Sequence, residues 1–123
     1  MNQWFLVFVG GGLGSISRMG ISLLFKDLVK LNFPLSTLLS NFFATLILGL
    51  TLYFFSGKFN FSEFVKPLLI IGFCGGLSTF STFSLETFEL IKNGTFFMAL
   101  LNIFFNVLVC LILMYVFVSP RQL

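Results

Sequence analysis

Four apolar runs, each about 20 residues or longer, take up nearly all of this 123-residue chain, and a bilayer is the environment that suits them. They fall near 4–25, 34–56, 67–91 and 96–118. At a rise of about 1.5 Å per residue, each run is long enough as a helix to cross a hydrocarbon core of about 30 Å. Charged residues make up 9% of the chain, against about 25% in ordinary globular proteins, and mean hydropathy is +1.08. The expected fold is an all-α membrane protein with four transmembrane helices, a single domain over 1–123 joined by short links. No room is left for an extramembrane catalytic or nucleic-acid-binding module. The seven Lys/Arg behind the net charge of +3 form no basic face for a phosphate backbone and are assigned to anchoring at the membrane surface. The opening Met-Asn-Gln-Trp lacks a basic stretch, so the first run is expected to stay as a span and not be cleaved as a signal.

The third run contains the most unusual segment, Gly72-Phe-Cys-Gly-Gly-Leu-Ser-Thr-Phe-Ser-Thr-Phe-Ser84. It places three glycines and then five hydroxyl residues at bilayer depth. Glycine tolerates backbone dihedrals that other residues resist, so Gly72, Gly75 and Gly76 predict a helix broken near its middle. Lipid cannot hydrogen-bond to exposed backbone, and a broken helix survives there only against protein or a watery path. A break also frees carbonyl and N–H groups, the usual makings of an ion site. Phe80 and Phe83, spaced i and i+3, share a helix face and alternate with hydroxyls, as a conduit lining would.

Polar residues in the other runs are few and patterned. Gly10 and Gly14 have the small-xxx-small spacing that lets membrane helices approach closely; no Walker-type phosphate loop follows, because its Lys-Ser/Thr ending is missing. Arg18 reads either as a snorkelling anchor or as a vestibule cation that draws in anions. Thr37, Asn41 and Thr45 recur every four residues beside Ala44, making one face of the second helix small and polar. Asn41 serves either as interhelical glue or as an N–H donor to a passing anion. Glu86 lies deep enough in the third run to need a partner or water, whereas Glu89 is interfacial. Asn102, Asn106 and Cys110 form a second narrow stripe, either packing glue or fourth-helix lining. Histidine is absent, and Cys74 and Cys110 stand alone, so a zinc or haem site is not expected. An enzyme is not expected either: Ser78, Ser81 and Ser84 have no base to activate them.

Lysine and arginine ordinarily accumulate on the cytoplasmic side. Here Lys58, Lys66 and Arg121 fall on one side and Lys26, Lys30 and Lys92 on the other, with Arg18 in or near the end of the first run. This near-balance allows either a weakly biased single orientation or dual topology, with identical chains pairing antiparallel.

In order along the chain, these residues resemble the Fluc (CrcB) family of fluoride channels. The matching pieces are Gly10-Gly-Gly-Leu-Gly14 through Arg18, Asn41 through Gly49, and the block from Gly72 to Glu86. The resemblance implies an antiparallel, dual-topology homodimer in the bacterial cytoplasmic (inner) membrane, passively exporting fluoride and relieving its toxicity. It assigns the fluoride pore to Asn41, Phe80 and Phe83, with a hydroxyl track of Ser81, Thr82 and Ser84. It also implies a structural Na⁺ on the dimer axis, held by the backbone carbonyls of Gly75 and Ser78. Met19, Ala44, Ser78, Asn102 and Asn106 depart from the family's usual residues. Two other classes compete: a proton-coupled small multidrug-type exporter, for which Glu86 is the only deep carboxylate, and a non-transporting membrane scaffold.

Overall fold

The computed structural model describes residues 2–26, 33–58 and 61–118; Lys30 and Arg121, two of the charges used in the sidedness count, lie outside them. All regular structure among these residues is helical. Four helical stretches are long and apolar enough to cross a membrane: Gln3–Lys26, Leu35–Phe55, Phe61–Lys92 and Phe96–Phe117. The first, second and fourth match the sequence expectation to within a residue or so at each end.

The third departs from it in two ways. It starts at Phe61, six residues before the expected start, because Pro67 does not open the helix but lies buried inside it. Proline has no N–H to give to the preceding turn. The half-span Phe61–Cys74 is wound with wide i→i+5 turns over 14 residues, where such winding usually lasts a single turn. The second departure concerns the break. The glycines do not form it: Gly72 belongs to the wide helix, Gly75–Leu77 make one α-turn, and neither stretch has a positive φ. The chain is extended instead at Ser78 (φ −73°, ψ 152°) and Thr79 (φ −147°, ψ 120°). Helix then resumes over Phe80–Lys92.

What the glycines supply is close approach. A Cβ on Gly10 would run into the Leu68 carbonyl, one on Gly14 into the Phe73 carbonyl, and one on Gly76 into the Gly11 carbonyl. The first span and the lower half of the third thus meet backbone to backbone, as small residues permit in membranes. Gly75 is different, with only the Ile70 carbonyl within reach of a Cβ, at 3.9 Å, and it is exposed.

Polarity is distributed as a bilayer requires. Thr37, Ser40, Thr87, Asn102 and Asn106 are buried between helices, while Phe8, Phe97 and Tyr115 are among many large side chains that point outward. The upper half of the third span closes with a left-handed glycine: Gly94 has φ +81°, Gly94 N–H donates to the Ile91 carbonyl and Thr95 N–H to the Leu90 carbonyl. This Schellman arrangement satisfies the last carbonyls and turns the chain into the fourth span.

Candidate functional site

The break is held open by two specific diversions of backbone donors. In a continuous helix the Thr79 N–H would serve the Gly75 carbonyl; instead it donates to Asn41 Oδ1 at 2.8 Å. The Thr82 N–H would serve the Ser78 carbonyl; it donates to Thr79 Oγ1 at 3.2 Å, making Thr79 the N-cap of the second half-helix. Gly75 and Ser78 therefore lose their i+4 donors and are both exposed on the protomer surface. Neutral carbonyl oxygens released in this way are the donor type a hard monovalent cation such as Na⁺ takes at a broken membrane helix. The Gly76 carbonyl receives the Arg18 Nε–H at 3.1 Å. Arg18 thus has a use that sequence reasoning did not list, as a half-buried tether between the first span and the break.

Asn41 is the hub of the upper side. Besides accepting from Thr79, it donates through Nδ2 to Asn106 Oδ1 at 2.9 Å and makes a long contact of 3.4 Å to the Thr79 carbonyl. Its own backbone carbonyl accepts from Thr45 Oγ1 at 2.8 Å. A cavity of about 260 Å³ opens beside it, lined by Ser78, Thr79, Phe80, Phe83 and Asn106 together with Thr45, Val107 and Cys110. The Phe80 and Phe83 rings lie 5.6 Å apart between centroids and are tilted by 43°. Among the described residues, no charged side chain borders this space. Phe80 is 79% exposed, so its ring sits on the open flank of the protomer.

A second cavity, of about 270 Å³, shares Thr79 with the first. Its walls include Ser15, Arg18, Ser40, Thr82 and Glu86. Thr37 Oγ1 donates to Glu86 Oε1 at 2.8 Å, while Glu86 Oε2 is buried without a partner among the described residues. Glu86 also borders a third opening, of about 400 Å³, with Phe33, Glu89 and Asn93 near the end of the bundle. Thr79 and Glu86 thus stand at the two junctions of a series of three cavities within one protomer.

The residues singled out from sequence do not all converge. Asn41, Phe80 and Phe83 meet at one cavity. Thr82 lines the other, while Ser81 and Ser84 face outward, Ser84 Oγ donating to the Phe80 carbonyl at 2.8 Å. Successive helix positions diverge by about 100°, so three neighbouring hydroxyls cannot share one wall. Asn102 is fully buried and donates to Thr87 Oγ1 at 2.9 Å; it lines none of these three cavities, while Asn106 lines the aromatic one. Sequence reasoning missed Thr79 and Thr87 as individual residues. Thr79 carried a usable signal, a hydroxyl directly before a helical run; Thr87 carried none.

The family described as CrcB-like protein, Camphor Resistance (CrcB), matches residues 5–118. Among curated relatives, the protein named fluoride-specific ion channel FluC from Escherichia coli O139:H28 (strain E24377A / ETEC) is 45% identical over 102 residues, covering 83% of this chain and 80% of its own. The protein of the same name from Shigella boydii serotype 18 (strain CDC 3083-94 / BS512) gives the same identity and coverage.

Proposed function

Because the chain belongs to the CrcB family, we propose that it is a fluoride-selective channel that lets F⁻ leave the cytoplasm passively. The observation that carries this reading is the aromatic cavity: two phenyl rings and an asparagine amide converge at an interrupted membrane helix, with no charged side chain on the walls among the described residues. Fluoride is small and strongly hydrated, so a conduit has to replace its water with other donors. A phenyl ring has a positive edge, and Phe80 and Phe83 offer such edges to the anion. Asn41 and the Ser78 hydroxyl supply conventional hydrogen-bond donors. A series of weak sites allows both entry and exit, which conduction requires, and a narrow aromatic passage disfavours the larger chloride. The polar cavity of Arg18, Ser40 and Thr82 serves as the approach, with the Arg18 cation raising the local anion concentration.

The protomer's open flank supports an antiparallel homodimer. Gly75, Ser78, Ser81 and Ser84 are exposed there, beside carbonyls deprived of their helical donors. Such a strip is untenable against lipid. A second copy related by a two-fold axis would cover it and double every ligand, and opposite insertion of the two copies fits the near-balanced lysines. The paired Gly75 and Ser78 carbonyls would hold a structural Na⁺; when bound, the ion supplies a fixed positive charge that ties the two breaks together. Ser81 and Ser84 then face the partner, where a hydroxyl track would be completed by two chains. In the bacterial cytoplasmic membrane, fluoride that entered as the neutral acid ionises inside and leaves by this route. The test is fluoride-electrode efflux from liposomes holding purified protein, with chloride as control. Rapid F⁻ release with retained Cl⁻ is expected; equal release of both, or of neither, overturns the reading.

A further inference from the structure

We propose that Asn106, braced by Asn102, is a positioning residue that fixes which way the Asn41 amide points, leaving one Asn41 N–H available to the anion in the aromatic cavity. The inference rests on the fluoride reading for its functional consequence, but its structural part stands on a relay of hydrogen bonds. The Thr79 N–H donates to Asn41 Oδ1 (2.8 Å), Asn41 Nδ2 to Asn106 Oδ1 (2.9 Å), and Asn106 Nδ2 to both the side-chain and backbone oxygens of Asn102 (2.9 Å each). Asn102 Nδ2 then donates to Thr87 Oγ1 (2.9 Å), whose hydroxyl donates to the Phe83 carbonyl (2.7 Å). Donation runs in one direction throughout. It begins and ends on the upper half of the third span and its entry, at Thr79 and Phe83.

A primary amide is nearly symmetrical in shape, so a half-turn exchanges its donor and acceptor ends at little steric cost. Two backbone groups prevent that here. The Thr79 N–H can only donate, and the Asn102 carbonyl can only accept. Turning Asn106 alone would set its oxygen against the Asn102 carbonyl and its NH₂ against the NH₂ of Asn41. Turning Asn41 as well would set its NH₂ against the Thr79 N–H. Every alternative leaves a buried mismatch, which costs more than an ordinary lost hydrogen bond. In the orientation observed, both Asn106 hydrogens are committed, although the residue lines the cavity. Asn41 has one firmly held hydrogen and one whose only contact is the 3.4 Å approach to the Thr79 carbonyl, at the weak end of hydrogen bonding. That second hydrogen is the amide donor left for a ligand.

The test compares Asn106→Ser with Asn106→Ala in the full-length protein, two variants that leave similar space and differ by one oxygen able to accept from Asn41. Asn106→Ser is expected to keep liposome fluoride efflux within about threefold of the parent. Asn106→Ala is expected to fall at least about tenfold, the size of one lost charge-assisted donor. Equal efflux in the two variants overturns the proposal, because a packing role depends on volume and not on the oxygen. A second readout uses no transport: the Asn41 side-chain ¹⁵N–H₂ signals of protein in micelles, assigned by their loss in Asn41→Ser. They should move in Asn106→Ala and stay near the parent position in Asn106→Ser; signals unmoved in Asn106→Ala overturn the proposal. A parent protein with no fluoride efflux would defeat the channel reading, and the amide signals would still decide the orientation.

Discussion

Replacing Gly14 by alanine should separate sharply from the same change two residues earlier, at Gly12. Both glycines sit in the first span, and alanine is the better helix former at either place by about 0.5–1 kcal/mol. Their surroundings differ. A Cβ at Gly14 meets the Phe73 carbonyl and stands 2.8 Å from the Leu77 backbone nitrogen, whereas nothing lies within 4 Å of a Cβ at Gly12. The atoms met at Gly14 are all backbone, so no side chain can swing aside. The third span has to back away by more than about half an ångström, and a gap of about 0.5–1 Å forfeits a quarter to a half of each dispersion contact along the seam. Overpacking of this kind costs about 1–3 kcal/mol. The propensity gained is the same at both positions and cancels, so the two variants should differ by about 2 kcal/mol, on the order of thirtyfold in the folding equilibrium. Unfolding in mixed micelles with rising sodium dodecyl sulfate, followed by circular dichroism, measures this directly. Midpoints that coincide for Gly14→Ala and Gly12→Ala would refute the backbone-to-backbone seam. Because the same seam carries Gly76 and the Arg18 tether, Gly14→Ala should also lower fluoride efflux, while Gly12→Ala should not.

Three further outcomes are expected. Phe80→Ile and Phe83→Ile, which keep apolar bulk but remove the positive ring edge, should each cut fluoride efflux at least about a hundredfold while the dimer survives size-exclusion chromatography; unchanged flux in both variants would end the ring-edge mechanism. Exchanging Na⁺ for a large organic cation throughout purification should weaken the dimer and slow efflux, with recovery when Na⁺ returns, and indifference to the exchange would remove the ion from Gly75 and Ser78. A C-terminal tag probed with a membrane-impermeant reagent should label about half from each face of the membrane if the two chains insert oppositely, and labelling from one face alone would exclude dual topology.

The four spans were legible because a bilayer reads little more than length and hydropathy, and Gln3–Lys26, Leu35–Phe55 and Phe96–Phe117 each declare themselves by those measures. Periodicity also placed Thr37, Asn41 and Asn106 on inward faces, since a lone polar stripe on an apolar helix has nowhere else to go. Local chemistry misled in two places. The third span was expected from position 67, yet the helix starts at Phe61 and runs through Pro67. Glycines at 72, 75 and 76 looked like the break, yet two of them, Gly72 and Gly76, lie against the first span and the chain is extended at Ser78 and Thr79. The reason is that a helix stops where its donors find better partners, and those partners come from elsewhere in the chain. Asn41 takes the Thr79 N–H across 38 residues, and Arg18 reaches the Gly76 carbonyl across 58.

Composition and periodicity alone therefore settle that this chain spans a membrane four times, with the polar stripes of its second and fourth helices turned inward, because the penalty for doing otherwise is paid residue by residue. Which carbonyls are set free, which hydroxyls face which cavity and which amide keeps a spare hydrogen are decided only when the helices pack. Hydrogen-bond direction at Asn41, Asn102 and Asn106 depends on neighbours brought together from distant parts of the chain, and no local pattern encodes it.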